Sequence, residues 1–241
     1  MALHEINQDI DRSVQRLSNA LVLTLYVAGA LLAIATAFKG PYYCWDWDHE
    51  ETTFTYGSSI FYFIAAVAAY ACLHIARYLK KIEMGRVRHP WLWFAAFLGF
   101  LYAACDEMLM YHERLGHVLD KASWYHHLYI VKSDDIFVLA YGTISLLFMI
   151  FLVRELLPVK RALKYYLVGV VLLVSAGMLD VLALSALITR GIEELCELYS
   201  GISFASAFII WGLDRARLAF EVWLSSRTIR EPSSIPEPLP E

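Results

Sequence analysis

Charge is scarce in this chain. Lys, Arg, Asp and Glu make up 18% of its 241 residues, against 59% hydrophobic and 15% aromatic, a balance that excludes a soluble globular domain of this length. Its basic residues form no face or stripe, so a nucleic-acid surface is excluded as well. Cysteine is sparse. Cys44, Cys105 and Cys196 lie at or near one side of the membrane topology derived below, where a disulfide is permitted, and Cys72 lies within an apolar run. A Cys44–Cys196 bridge and free thiols both remain open. No internal repeat and no separate soluble domain is present. The first apolar run lacks a short core with an evident small-residue cleavage site, so it reads as a retained anchor.

What the chain does have is long stretches without charge: 17–38, 52–76, 89–105, 136–153, 165–179 (continuing past Asp180 to 189) and 198–213. Counting the acidic residues at their ends, these approach the roughly 20 residues a spanning helix needs. The expectation is an all-α polytopic membrane bundle of about six transmembrane helices. Basic residues orient it, because short cytoplasmic loops collect Lys and Arg. With the N-terminus inside, 15 of the 20 basic residues fall in inner segments, leaving only Lys39, Arg114, Lys121, Lys132 and Arg190 outside. Both termini are therefore expected in the cytoplasm, as in a bacterial inner membrane.

Four regions follow. Residues 1–16 carry Leu3, Ile6, Ile10 and Val14 at helical spacing and read as an amphipathic interfacial helix that turns into the first span. Residues 17–213 form the bundle, 214–230 a second amphipathic helix continuing the last span, and 231–241 a Pro-rich disordered tail.

The acidic residues lie opposite to the basic ones: 14 of 24 fall in outer segments or the outer halves of spans. The segment "CDEMLMYHERLGH" follows an apolar run directly. Read as one helix at 100° per residue, it brings Asp106, Glu113 and His117 within about 40° of each other. Glu113 and His117 are one turn apart, a spacing at which two side chains can hold one ion. Glu107 and His112 point to other sides and are the candidates for proton transfer. Further outer segments supply His126 and His127, Asp134 and Asp135, Asp180, and the Glu193, Glu194, Glu197 cluster. Because alternate helices run in opposite directions, these groups reach one membrane level. Clustered carboxylates in a low-dielectric setting need neutralisation by protons, arginines or metal ions, and carboxylates mixed with imidazoles suit iron, manganese or zinc. The expected metal ligands are Asp106, Glu113, His117, His126, His127, Asp180, Glu194 and Glu197.

Plainer roles stand beside these. Asp134 and Asp135 can cap a helix, as can the Glu193–Glu197 cluster. His126 and His127 sit beside Trp124 and Tyr125 in what reads as an aromatic belt. His74 reads as a core histidine. Asp106, Glu107 and Asp180 interrupt spans, where ionisable groups are costly and commonly functional.

The pattern D-E-x4-H-E, carried by Asp106, Glu107, His112 and Glu113, resembles a segment of uncharacterised bacterial multi-pass membrane proteins. It covers about one helix and implies no activity. The alkaline ceramidase-like hydrolases differ, having seven helices and a paired His-x-x-x-His on a late helix that this chain lacks. From the residues alone, the expected function is a metal-dependent enzyme acting on a lipid or other hydrophobic substrate, as a hydrolase or a di-iron oxidoreductase. The alternatives are a proton or divalent-cation transporter and a non-catalytic subunit or assembly factor. The bilayer is one partner, and a membrane-protein partner or a second copy of the chain is a further expectation.

Overall fold

A computed structural model describes residues 2–38, 53–82, 89–120, 133–181 and 187–228. Among these, the chain is all helical: α1 (Ala2–Phe38), α2 (Thr53–Lys81), α3 (Pro90–Leu109), α4 (Tyr111–Asp120), α5 (Ser133–Leu156), α6 (Lys160–Val181) and α7 (Leu187–Thr228). Five carry segments long and apolar enough to cross a membrane: Gln8–Ala35, Thr55–Lys81, Pro90–Leu109, Lys160–Leu179 and Gly191–Ser226. The remaining expected span falls within α5, whose 24 residues extend about 36 Å. The chain is thus a helical bundle of membrane-protein type. The end where α3 finishes and α7 begins is its acidic end, and the opposite one its basic end.

Helix α7 is the post around which the rest is arranged. It is the most buried of the five candidate spans, and α1 the least. It packs closely on α2 and α6 and, over a shorter seam, on α1. Lipid offers helices no hydrophobic reason to associate, so close packing and interhelical hydrogen bonds must hold them. The sequence supplies small residues for this: Ala65, Ala66, Ala69 and Ala76 on α2 and Ala205 and Ala207 on α7 have no solvent exposure. At Gly201 an added Cβ would stand 3.1 Å from Phe61 Cβ and 3.4 Å from the Tyr62 backbone nitrogen. Below that contact an aromatic mass fills the interior. Trp93 lies 4.3 Å from Trp211 between ring centroids, and Phe100 lies 4.9 Å from Phe204.

At the basic end, Glu155 and Arg215 are 5% and 3% exposed. Glu155 Oε1 accepts the His89 N–H (3.1 Å), immediately before α3, and its backbone carbonyl accepts the Trp211 indole N–H (2.9 Å). The Arg215 guanidinium lies 5.9 Å from the Trp211 ring. These contacts tie α5, α3 and α7 together. Beyond them, Arg217 of α7 bonds Asp11 of α1.

Several expectations change. Residues 2–38 form one helix, so the amphipathic 1–16 stretch runs into the first span with no turn, while 214–228 continues the last span as expected. His74 lies on an exposed face, 4.6 Å from the Tyr70 ring; Ala76 and Leu73 of the same helix take the core positions. Cys72, Cys105 and Cys196 are free thiols, and Cys44 lies outside the described residues.

Gly201→Val should destabilise the protein by about 1–3 kcal/mol, because neither the Phe61 Cβ nor the Tyr62 backbone can rotate away from an added methyl group. Gly99→Val, where a Cβ meets nothing within 4 Å, should leave the melting temperature in detergent unchanged. Equal melting temperatures for the two variants would refute the close-approach argument.

Candidate functional site

The acidic segment of α3 does not continue as one helix. Met110 adopts the left-handed conformation (φ 50, ψ 48), and its N–H bonds the Asp106 carbonyl at 2.7 Å. A non-glycine residue rarely adopts this conformation, and here it ends α3 and starts α4 one residue later. The expected stripe of Asp106, Glu113 and His117 is therefore broken between its first and second members. Glu113 and His117 keep their one-turn spacing within α4, which packs mainly on α5.

Asp106 and Glu107 diverge by about 100°, and both find polar partners because α3 is flanked by two helices. Asp106, 5% exposed, accepts a hydrogen bond from the Tyr141 hydroxyl of α5 through Oδ2 at 3.1 Å. The ring of Tyr102, one turn before Asp106 on α3, lies 5.6 Å from that of Tyr141. Glu107 faces α2, where Ser58 Oγ lies 3.2 Å from its Oε2 and 2.9 Å from the Thr55 carbonyl, so one hydroxyl proton serves both acceptors. Glu107 leaves the Asp106 stripe, in keeping with its spacing, and meets α2, which lies on that side of α3.

The third carboxylate comes from α7. Ser200 Oγ donates to the Glu197 carbonyl at 2.8 Å, which leaves its lone pairs to accept the Tyr62 hydroxyl at 2.7 Å. Tyr62 is buried at 3% exposure and lies within electrostatic reach of both Glu197 and Glu107. One turn further along α7 the pattern recurs: Ser203 donates to the Tyr199 carbonyl (2.7 Å), and Tyr26 of α1 donates to Ser203 (3.0 Å). Glu194 contributes a solvent-shielded Oε2 one turn before Glu197.

The structure thus brings Asp106, Glu107 and Glu197 to one end of the bundle, with Glu194 beside them on α7. Asp180 lies in the last two residues of α6. The antiparallel packing of Gly169 on Phe204 extends to place residue 180 at the level of Glu193. The side chains of His112, Glu113, His117 and Asp180 lie outside the described residues, as do residues 126 and 127 entirely. Among the described residues, no group of three His, Cys, Asp or Glu is placed to hold a metal ion. Sequence reasoning missed Tyr62, Tyr141, Ser58 and Ser200. The one available signal was their spacing: Ser58 and Tyr62 are one turn apart on α2, and Ser200 follows Glu197 by three residues on α7.

Tyr141→Phe removes only the hydroxyl that bonds Asp106, and should cost about 1–2 kcal/mol of stability, read as a lower melting temperature in detergent. An unchanged melting temperature in that variant would show that the bond does not fasten α5 to α3.

No curated protein and no solved structure matches the chain. A family model described as "Domain of unknown function (DUF8692)" matches residues 20–211, which takes in the bundle from α1 to the Trp211 level of α7, and the chain belongs to that family.

Proposed function

We propose that the chain is an integral-membrane enzyme whose reaction centre is the carboxylate cluster at the acidic end, acting on a lipid or another hydrophobic substrate. The observation that carries this reading is that Asp106, Glu107 and Glu197 lie at one end of the bundle, where the Tyr141 and Ser58 hydroxyls meet the first two and Ser200, bonded to Tyr62, meets the Glu197 carbonyl. Ionisable groups inside spans are costly and commonly functional. In a hydrolytic reaction, Glu107, oriented by Ser58, takes a proton from water as the water attacks an acyl carbonyl, and returns it to the departing alcohol or amine. His112 is the second proton-transfer candidate.

A divalent metal ion, iron or zinc, is the proposed cofactor. Since no three described ligands are placed to hold an ion, either Asp106 or the Glu194 and Glu197 pair would hold it, and only together with Glu113 and His117 of α4, Asp180, or His126 or His127. It would activate the water, or, as a di-iron pair, support oxygen chemistry. The finer placement proposed, a bacterial inner membrane with the acidic end facing out, rests on the distribution of Lys and Arg. Transport by the same acids has less support, because among the described residues the fully buried Phe204, Phe208 and Trp211 fill the interior between the site and Arg215.

Elemental analysis of detergent-purified wild type, Asp106→Ala and Glu113→Ala tests the metal: a stoichiometric ion in the wild type that is lost in both variants is expected. Incubating the wild type and Glu107→Gln with a bacterial lipid extract, followed by mass spectrometry, tests the reaction. A lipid consumed only by the wild type is expected. Proton or cation flux in liposomes that Asp106→Ala abolishes, without turnover, would replace this reading with transport. Absence of metal, turnover and flux would leave a non-catalytic subunit that binds a membrane partner or a second copy.

A further inference from the structure

Helix α5 is held at its ends and nearly free between them. At the basic end, Glu155 bonds the His89 N–H and the Trp211 indole, and the Tyr166 hydroxyl of α6 donates to the Met149 carbonyl at 3.1 Å. At the acidic end, Tyr141 bonds Asp106 and α4 packs alongside. From 140 to 151 no residue of α5 is buried, and only Tyr141, Ser145 and Met149, one per turn, are half-buried. The helix meets the bundle along a line one residue wide. Its seams with α3 and α6 are far thinner than those of α2 with α3 or of α6 with α7.

Two glycines mark open space among the described residues of this region. A Cβ at Gly142 of α5 or at Gly177 of α6 would meet none of their atoms within 4 Å. Counted from the Met149–Tyr166 bond, Gly142 lies about 10 Å and Gly177 about 16 Å towards the acidic end. Exposed apolar side chains nearby are Ile144 and Leu147 on α5 and Val174 and Met178 on α6, with the exposed Thr143 beside Gly142. Tyr141, beside Gly142, bonds the buried Asp106.

We propose that the space between the acidic halves of α5 and α6 is a lateral portal that admits one acyl chain of a bilayer lipid, bringing its ester region to Tyr141 and Asp106. This deepens the reading of the acid cluster as a reaction centre and rests on it. The occupant is a lipid because the portal walls are continuous with the aliphatic surface the spans present to hydrocarbon. The polar groups at its end sit where a lipid turns from chain to headgroup.

The test uses the full-length protein in vesicles of phosphatidylcholine carrying a diazirine just below the ester. The carbene inserts readily into carboxyl groups, and adducts are mapped by peptide mass spectrometry. Exposed positions near the same end and away from the portal, such as Ile60 on α2 and Ile192 on α7, should be labelled in every variant and serve as the internal standard. In the wild type Asp106 should be labelled despite its burial. That label should be lost in Gly142→Trp/Gly177→Trp, whose new rings fill the open space, and kept in Gly99→Trp, on α3, where a Cβ also meets nothing. An unchanged melting temperature shows that the double variant is folded; if it is not, Gly142→Trp alone carries the test. Labelled standard positions without an Asp106 adduct, or an adduct that survives the plug, overturn the portal. An Asp106 adduct removed by the plug, in a protein with neither metal nor turnover, keeps the portal and removes the reaction.

Discussion

The approach of α2 to α7 at Gly201 governs the rest of the structure. It sets the two backbones close enough for the Tyr62 hydroxyl to reach Ser200, whose own proton goes to the Glu197 carbonyl. In a hydrocarbon environment the alternative to such a bond is an unsatisfied hydroxyl, which costs free energy wherever water cannot replace the partner. The serines of α7 meet this demand in a consistent way. Ser200, Ser203 and Ser206 each donate to a carbonyl of their own helix, and the first two keep an acceptor free for a tyrosine from a neighbouring helix.

The two ends of the bundle use charge differently. At the basic end, Glu155 and Arg215 are engaged with backbone and indole groups whose places are fixed by packing, and their role is to hold three helices in register. At the acidic end, Asp106 and Glu107 accept from side-chain hydroxyls, those of Tyr141 and Ser58, rather than from backbone or indole N–H groups. That contrast is why the reaction centre is assigned to one end and a structural part to the other.

How far the sequence foretold this can be judged residue by residue. The bundle was legible because uncharged runs of spanning length occur in little besides transmembrane helices. Asp106 and Glu107 stood out because carboxylates interrupting such runs are rare. The break at Met110 was not legible: no glycine or proline marks it, and the surrounding Met and Leu are good helix formers, so the 3.6-residue period passes through without a signal. Tyr62 and Tyr141 were hidden for another reason. A tyrosine in an apolar helix reads the same whether its hydroxyl meets a carboxylate or an interface, and only the packing of α2 on α7, or of α5 on α3, separates the cases.

Helix α7 has one further consequence. Its 42 residues extend about 63 Å, roughly twice the ~30 Å hydrocarbon thickness of a bilayer. It must either lean steeply or carry several turns into water. The Arg217–Asp11 pair joins it to α1. An exposed ion pair contributes little by itself, so it is the packed seam between α1 and α7 that passes a lean in one helix to the other.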